Sequence, residues 1–323
     1  MKFTVLIPLY NKAPYIRNTM ASVLAQSFID FEILVVDDGS TDGGDKIVEE
    51  FLDDRIRLIH QPNAGVSAAR NQGIEEARGD WVAFLDADDW LHPDFLATLV
   101  LTQAACLEAR AVGTDFLRFP HTDGSWPPNW PISTGHPEIE CITDLAARWM
   151  QGPSLCCSSV AVQRELLQSM QPCFPLGESI GEDLDLWFRL SEKTTIALVR
   201  MPLAAYREVV AGSLSMKHRV SIVPPFFDRI RNRAMSGEMT PTQRRSALWL
   251  VAQHEVTMAR LSVTAGNRTL GLRWLVRGRH AARGLRWWLT LSMTLFFPDH
   301  LVRRWQTWRV QRSSPATPVN EVR

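Results

Sequence analysis

Short β-rich apolar runs alternate with segments of helical spacing from residue 3 to about residue 110, and this alternation restricts the fold more than any other feature of the chain. "FTVLIPLY" (3–10) and "FEILVVDDGS" (31–40) read as strands closing on turn formers, and the intervening "APYIRNTMASVLAQS" sets Ile16, Met20, Val23 and Leu24 at helical spacing. The pattern then predicts a helix over Asp42 to Leu52 with Thr41 or Asp42 as its cap and a strand "IRLIH" (56–60). A helix over 65–78, a strand "WVAFLDADD" and a helix over 94–110 follow. Strands this uniformly apolar, placed between helices, imply a mostly parallel sheet covered on both faces.

From 111 to 140 the sequence is rich in Pro, Gly, His and Trp, which predicts a surface loop or short hairpin. Helical spacing resumes in "CITDLAARWMQG", "SSVAVQRELLQSM" reads as a strand entering a helix, and "GEDLDLWFRLSEK" (181–193) puts Leu184, Trp187, Phe188 and Leu190 on one helical face. At 323 residues and 46% hydrophobic, the chain can bury a large core in one or two domains. The five cysteines show no CxxC pairs and no metal spacing with histidine, and their odd count argues against a disulfide framework and fits a reducing cytoplasm. The start, "MKFTVLIPLYNKAP", is too short and too soon broken by proline to direct export.

Acidic residues collect where the strands end. Asp37 and Asp38 follow the second, Asp86, Asp88 and Asp89 the fourth, and Tyr10 and Asn11 the first. In open parallel sheets ligands bind at the carboxyl ends of the strands, so these residues are expected to meet at one edge. Taken alone, "VVDDGSTD" is also what a solvated turn looks like, and Asp89 is also placed to cap a helix; recurrence at three strand ends favours a binding edge. Clustered carboxylates repel, and a D-x-D spacing offers hard oxygen ligands to Mg²⁺ or Mn²⁺ bridging to substrate phosphates.

"VLIPLYNKAPYIRNTMASVLAQSFIDFEILVVDDGSTD", "NAGVSAARNQGIEEARGDWVAFLDADD" and "GEDLDLWFRL" together resemble glycosyltransferase family 2, the inverting nucleotide-sugar transferases of GT-A fold. The resemblance covers about residues 3 to 215 and is looser from 111 to 175. It implies an α/β, Rossmann-like, mostly parallel sheet flanked by helices, here with a C-terminal helical extension. It further implies that Pro8, Tyr10 and Asn11 line the nucleotide pocket, that Asp38 takes the base, usually uracil, and that Arg70 lies beside the nucleotide or its diphosphate. Asp86 would face the ribose or sugar and Asp88 would hold Mn²⁺ or Mg²⁺. Asp183 matches the base position, at a helix start whose dipole would keep it ionised; Glu182 would touch the acceptor or complete the helix cap, and Asp185 reads as a solvated helix residue. Enzymes of this kind often carry a histidine after "YR"; here Val209 and Val210 follow "YRE", leaving Ser213 and Ser215 of "GSLS" as candidates for phosphate or acceptor contact. Trp126 and Trp130 are candidates for stacking on sugar, whereas the spacing of Trp187 favours core packing.

The zero net charge hides an asymmetry: residues 1 to 240 hold 21 basic against 32 acidic side chains, and residues 241 to 312 hold 13 arginines against 2 acids and six of the twelve tryptophans. Arginine mixed with Trp and Leu over 271–312 has the composition of a basic segment in an anionic membrane interface, a helical subdomain packed on the catalytic domain being the alternative. Nucleic-acid binding has no motif in its favour. "WWLTLSMTLFF" falls short of the roughly 20 residues of a membrane span. The expected organisation is a catalytic domain over 1–220, an Arg/Trp-rich helical region over 221–312 and a disordered tail over 313–323. The expected activity is transfer from a UDP-sugar to a glycan or lipid-linked acceptor in cell-surface polysaccharide synthesis, in the cytoplasm at the inner face of the membrane. Nucleotidyl transfer would call for a Gly-rich loop that "PLYNKAPY" lacks, and a non-catalytic glycan-binding protein of this fold would be favoured by loss of Asp88 or Asp183, both present.

Overall fold

The computed structural model describes residues 2–119, 137–178, 180–208, 224–298, 300–302 and 304–305. Expectations for Trp126, Trp130, Ser213, Ser215, the "VV" at 209–210 and the tail over 313–323 therefore lie outside the described residues. The chain divides into two compact units, Met1–Arg229 and Ile230–Arg323.

The first unit opens with β1 (Phe3–Leu9), α1 (Ala13–Leu24), β2 (Phe31–Asp37), α2 (Gly44–Glu49), β3 (Ile56–His60), α3 (Val66–Glu76) and β4 (Trp81–Phe84). Then come β5 (Trp90–Leu91), α4 (Phe95–Ala105), β6 (Ala109–Phe119), β7 (Ile139–Ile142), α5 (Leu145–Trp149), β8 (Val160–Gln163), α6 (Arg164–Gln168), α7 (Glu182–Ser191) and β9 (Thr195–Arg207). The strands form one sheet in the order β3-β2-β1-β4-β8-β6-β9-β5, with β7 also paired to β9. Its β3-β2-β1-β4 half is parallel, and Leu9 pairs with Asp37 while Leu6 pairs with Phe84. This register delivers the segments after β1, β2 and β4 to the same edge. Beyond β4 the sheet is mixed: β8 runs antiparallel to β4 and β6, and β9 parallel to β6.

β1, β2 and β4 bury their apolar side chains almost completely, with Phe3, Val5, Ile7, Ile33, Val35 and Ala83 among the core residues that pack with Ile16, Met20 and Val23 of α1. Gly73 lets α3 rest directly on β1, because a Cβ there would collide with Leu6.

Four points depart from expectation. Residues 111–119 belong to β6 rather than to a loop, and the predicted helix over 94–110 ends at Ala105. The long strand β9 was not anticipated: Arg200 and Pro202 interrupt its apolar pattern, and the β6–β9 register shifts beside Pro202, where a proline is tolerated. Cys106 and Cys141 form a disulfide between the end of α4 and β7, made by tertiary proximity rather than by a short spacing; Cys156, Cys157 and Cys173 are free.

The second unit takes in the end of α8 (Phe226–Ser236), α9 (Pro241–Thr264), α10 (Arg268–Arg277), a 3₁₀ turn (Arg279–Arg283) and α11 (Leu285–Phe296). A capping box between Thr240 and Gln243, with Pro241 at the first helical position, fixes the start of α9. Its small core gathers Ala252, Val256, Ala259, Leu275 and Ala281 under Trp249, Trp274, Trp287 and Leu291. Among the described residues no helix is long and apolar enough to cross a membrane.

Candidate active site

Local backbone chemistry joins the strand-end segments to one another. Asn11 sits at φ 51°, a left-handed conformation that Asn tolerates better than most residues. There its N–H donates to Ser40 Oγ at 3.1 Å and its Oδ1 accepts from Thr41 N at 2.8 Å, tying the segment after β1 to the one after β2. Pro8 is buried within β1, and Tyr10 is about half exposed at its end.

Asp38 is buried. It accepts from Gln61 Nε2 at 2.7 Å and from the N–H groups of Ala64 and Gly65 at 2.8 Å each, so it holds the turn that leads into α3. A backbone so fixed brings the start of α3 to the binding edge, and α3 carries Arg70.

Arg70 joins the most distant parts of the sequence. Its buried guanidinium donates to Asp86 Oδ1 at 2.7 Å and to Glu182 Oε1 at 2.9 Å, and it stacks over Phe174. A planar fork of donors can reach two carboxylates at once, which a lysine could not do with the same geometry. The start of α7 is thereby held to the D-x-D segment. Gly181, left-handed at φ 71° and pressed against Phe226, makes the turn into α7 and leaves no room for a side chain.

The three acids of the D-x-D segment have different surroundings. Asp86 remains partly exposed and pairs with Arg70. Asp88 pairs with Lys12 Nζ from the segment after β1; burial and the neighbouring Asp86 raise its pKa while Lys12 opposes them. Asp89 is buried, accepts from Ser158 Oγ at 2.5 Å and from Arg207 N at 2.8 Å, and burial with two neighbouring carboxylates pushes it well above the ordinary range. It is no helix cap, since α4 starts later, after Asp94. Arg207 donates from Nε to the Asp88 carbonyl at 3.1 Å and lies over the rings of Trp90 and Tyr15.

At the start of α7, burial and the adjacent Glu182 raise Asp183 to about 7, against the opposing pull of Arg70. The expectation that the helix dipole keeps Asp183 ionised is thus corrected: desolvation and a like charge outweigh a dipole effect of at most ~2 kcal/mol. Glu182 serves as the partner of Arg70. Asp185 is not a solvated residue but a buried one, paired with Arg189 at 3.0 Å and Arg229 at 2.9 Å. Trp187 is core, edge-on to Phe84.

Sequence reasoning missed Lys12, Ser158 and Arg207. Lys12 had a signal, since it directly follows Asn11 in a strand-end segment; Arg207 lies in the same "YRE" that was read for its lack of a histidine. Ser158 had none. Among the described residues, Asp37, Asp45 and His60 make one grouping of three potential metal ligands, and Cys106, Glu108 and Cys141 a second whose two sulfurs are engaged in the disulfide. Asp88 belongs to neither.

The chain is similar to known proteins along most of this architecture. The family model described as Glycosyl transferase family 2 matches residues 4–169. Glycosyltransferase GlyA of Streptococcus pneumoniae is 46% identical over 100 residues, which are 30% of this chain and 14% of that protein. The uncharacterized glycosyltransferase alr2836 of Nostoc sp. is 34% identical over 215 residues, 64% of this chain and 65% of that one. The matched segment is therefore a small part of the first relative and about two thirds of the second. The crystal structure of S. aureus TarS 1-349 in complex with UDP-GlcNAc superposes with a TM-score of 0.70 at 18% identity, over 96% of this chain and 92% of that one, a likeness of fold. With a central α/β sheet of GT-A type and a family model matched over half its length, this chain belongs to glycosyl transferase family 2.

Proposed function

We propose that this chain transfers a sugar, with inversion, from a nucleotide-sugar donor of the UDP class to a hydroxyl of a glycan or lipid-linked acceptor, in cell-surface polysaccharide synthesis at the inner face of the membrane. One observation carries the reading: the Arg70 fork, which holds the acidic start of α7 beside the D-x-D segment. The UDP-GlcNAc complex of TarS, a protein of like fold, supports a donor of this class.

Asp183 is the general base. An acceptor hydroxyl is too weakly acidic to attack unaided, and a carboxylate raised to about 7 is a stronger base toward its proton than an ordinary one while roughly half of it stays ionised at neutral pH. Asp183 in the partly buried mouth of α7 holds that proton while the anomeric carbon passes from phosphate to the incoming oxygen. Pro8, Tyr10, Asn11 and Asp38 frame the nucleotide, Asp38 chiefly by fixing the 61–65 turn. Arg70 orients Asp86 and Glu182.

The D-x-D residues suit a divalent cation. Asp86 and Asp88 offer oxygen donors only, both are partly exposed, and the small number of protein ligands fits Mg²⁺ or Mn²⁺ completing their shell with donor phosphates. Asp88, with Asp86 beside it, would hold the ion, which supplies a Lewis acid for the departing diphosphate. Lys12 pairs with Asp88 and lies at the same segment, so its ammonium balances the acidic cluster or the diphosphate as each requires.

The test is nucleoside diphosphate release by the purified protein with Mn²⁺ or Mg²⁺ and a panel of nucleotide sugars and acceptors. Asp183→Asn is expected to lower kcat by about 10²–10⁴ with donor binding retained. Unchanged turnover in that variant would remove the assigned base.

A further inference from the structure

The second unit turns one of its helices inside out. Along α11 the residues Leu285, Trp288, Leu289, Leu295 and Phe296 recur at helical spacing and are 73%, 54%, 45%, 49% and 78% exposed. The buried side of the same helix carries Thr290 and Thr294 beside the partly buried Trp287 and Leu291. Thr290 Oγ1 accepts from Arg260 Nε at 2.7 Å, and Arg286 donates to Gln253 Oε1 at 3.0 Å and Thr257 Oγ1 at 2.6 Å. The helix is anchored to the unit by polar bonds and presents its largest apolar side chains to solvent. An apolar row of this size turned to water marks an interaction surface.

We propose that this row is a lipid-docking face, on which α11 lies in the interface of an anionic bilayer. Length excludes a span: twelve residues rise only about 18 Å, against about 30 Å of hydrocarbon. Charge selects the occupant. From Arg268 to Trp305 the sequence holds eight arginines and one acid, and Arg273, Arg279 and Arg283 are exposed. Two copies of the chain meeting through this face would bring those arginines together and repel, whereas anionic headgroups attract them. The apolar row continues into Phe297 and Leu301, 47% and 44% exposed, and Trp288 keeps its ring outward while its Nε1–H donates to the Ala282 carbonyl at 2.8 Å. An indole with a satisfied N–H and an exposed ring suits the headgroup boundary. This proposal sharpens the membrane part of the functional reading and is independent of its chemistry.

The test is flotation of the full chain with vesicles of phosphatidylcholine, alone or mixed with phosphatidylglycerol, alongside tryptophan fluorescence. The wild type is expected to float with the anionic vesicles, to blue-shift its emission, and to be released by salt. Leu285→Ser/Phe296→Ser should weaken binding roughly tenfold or more, with an unchanged circular dichroism spectrum and melting temperature. Arg279→Glu/Arg283→Glu, which leaves the row intact, should weaken binding to anionic vesicles. Failure of the wild type to float, or full binding by the serine variant, overturns the proposal. So does self-association of the wild type that the serine variant abolishes, since a second copy would then cover the row.

Discussion

The two units bury different things. The first hides an apolar core between sheet and helices and gathers an acidic cluster at one edge, where some buried charges are answered by opposite ones: Arg70 by Asp86 and Glu182, Asp185 by Arg189 and Arg229. The second buries Gln253, Glu255, Arg260, Thr290 and Thr294 and leaves Leu285, Trp288 and Phe296 in solvent. Even its buried Glu255 is paired, with Arg231 and with Arg277 at 2.7 Å. The first unit is organised around a ligand edge; the second is organised around a face. An apolar side chain is thus expected to stabilise the fold in one unit and to leave it untouched on α11 of the other.

Three substitutions probe this contrast, in falling order of effect. Arg70→Met should cost about 3–5 kcal/mol, because it strands Asp86 and Glu182 without their shared cation, and chemical denaturation will measure it. Leu6→Ala, in the fully buried centre of β1, should cost about 2–5 kcal/mol by the same measurement. Leu285→Ala should change stability by less than about 0.5 kcal/mol, since the side chain is already in water. A large loss at Leu285 would mean that the row is covered within the folded chain, and the contrast between the units would fail.

The same contrast explains how much could be read from the sequence. β1, β2 and β4 were legible because each strand is buried along its whole length and reads as a mostly apolar run, whereas the partly buried β3 rested on the helices around it. β9 was not: Arg200 and Pro202 fall at its centre, and only pairing with β6, β7 and β5 makes it a strand. In the site, the residue types of Asp86, Asp88 and Asp183 were visible from motif and position, but their partners were not. Nothing local links Arg70 to Glu182, which lie 112 residues apart. Asp185 looked like any acid in a helix's first turn because its partner Arg229 comes from α8. For α11 the composition was readable but not the side turned inward, since Trp, Leu and Thr surround the helix on every face.

The Arg70 link and the Glu182 charge beside Asp183 are the centre of this account, and the pH dependence of kcat/KM tests them most directly. Asp183 must be deprotonated to accept a proton, so kcat/KM should rise about tenfold per pH unit below about 7 and level above it. Glu182→Gln removes a like charge and should move that limb to lower pH, while Asp183→Asn should abolish it along with most of the activity. A limb that stays in place in both variants would contradict the account.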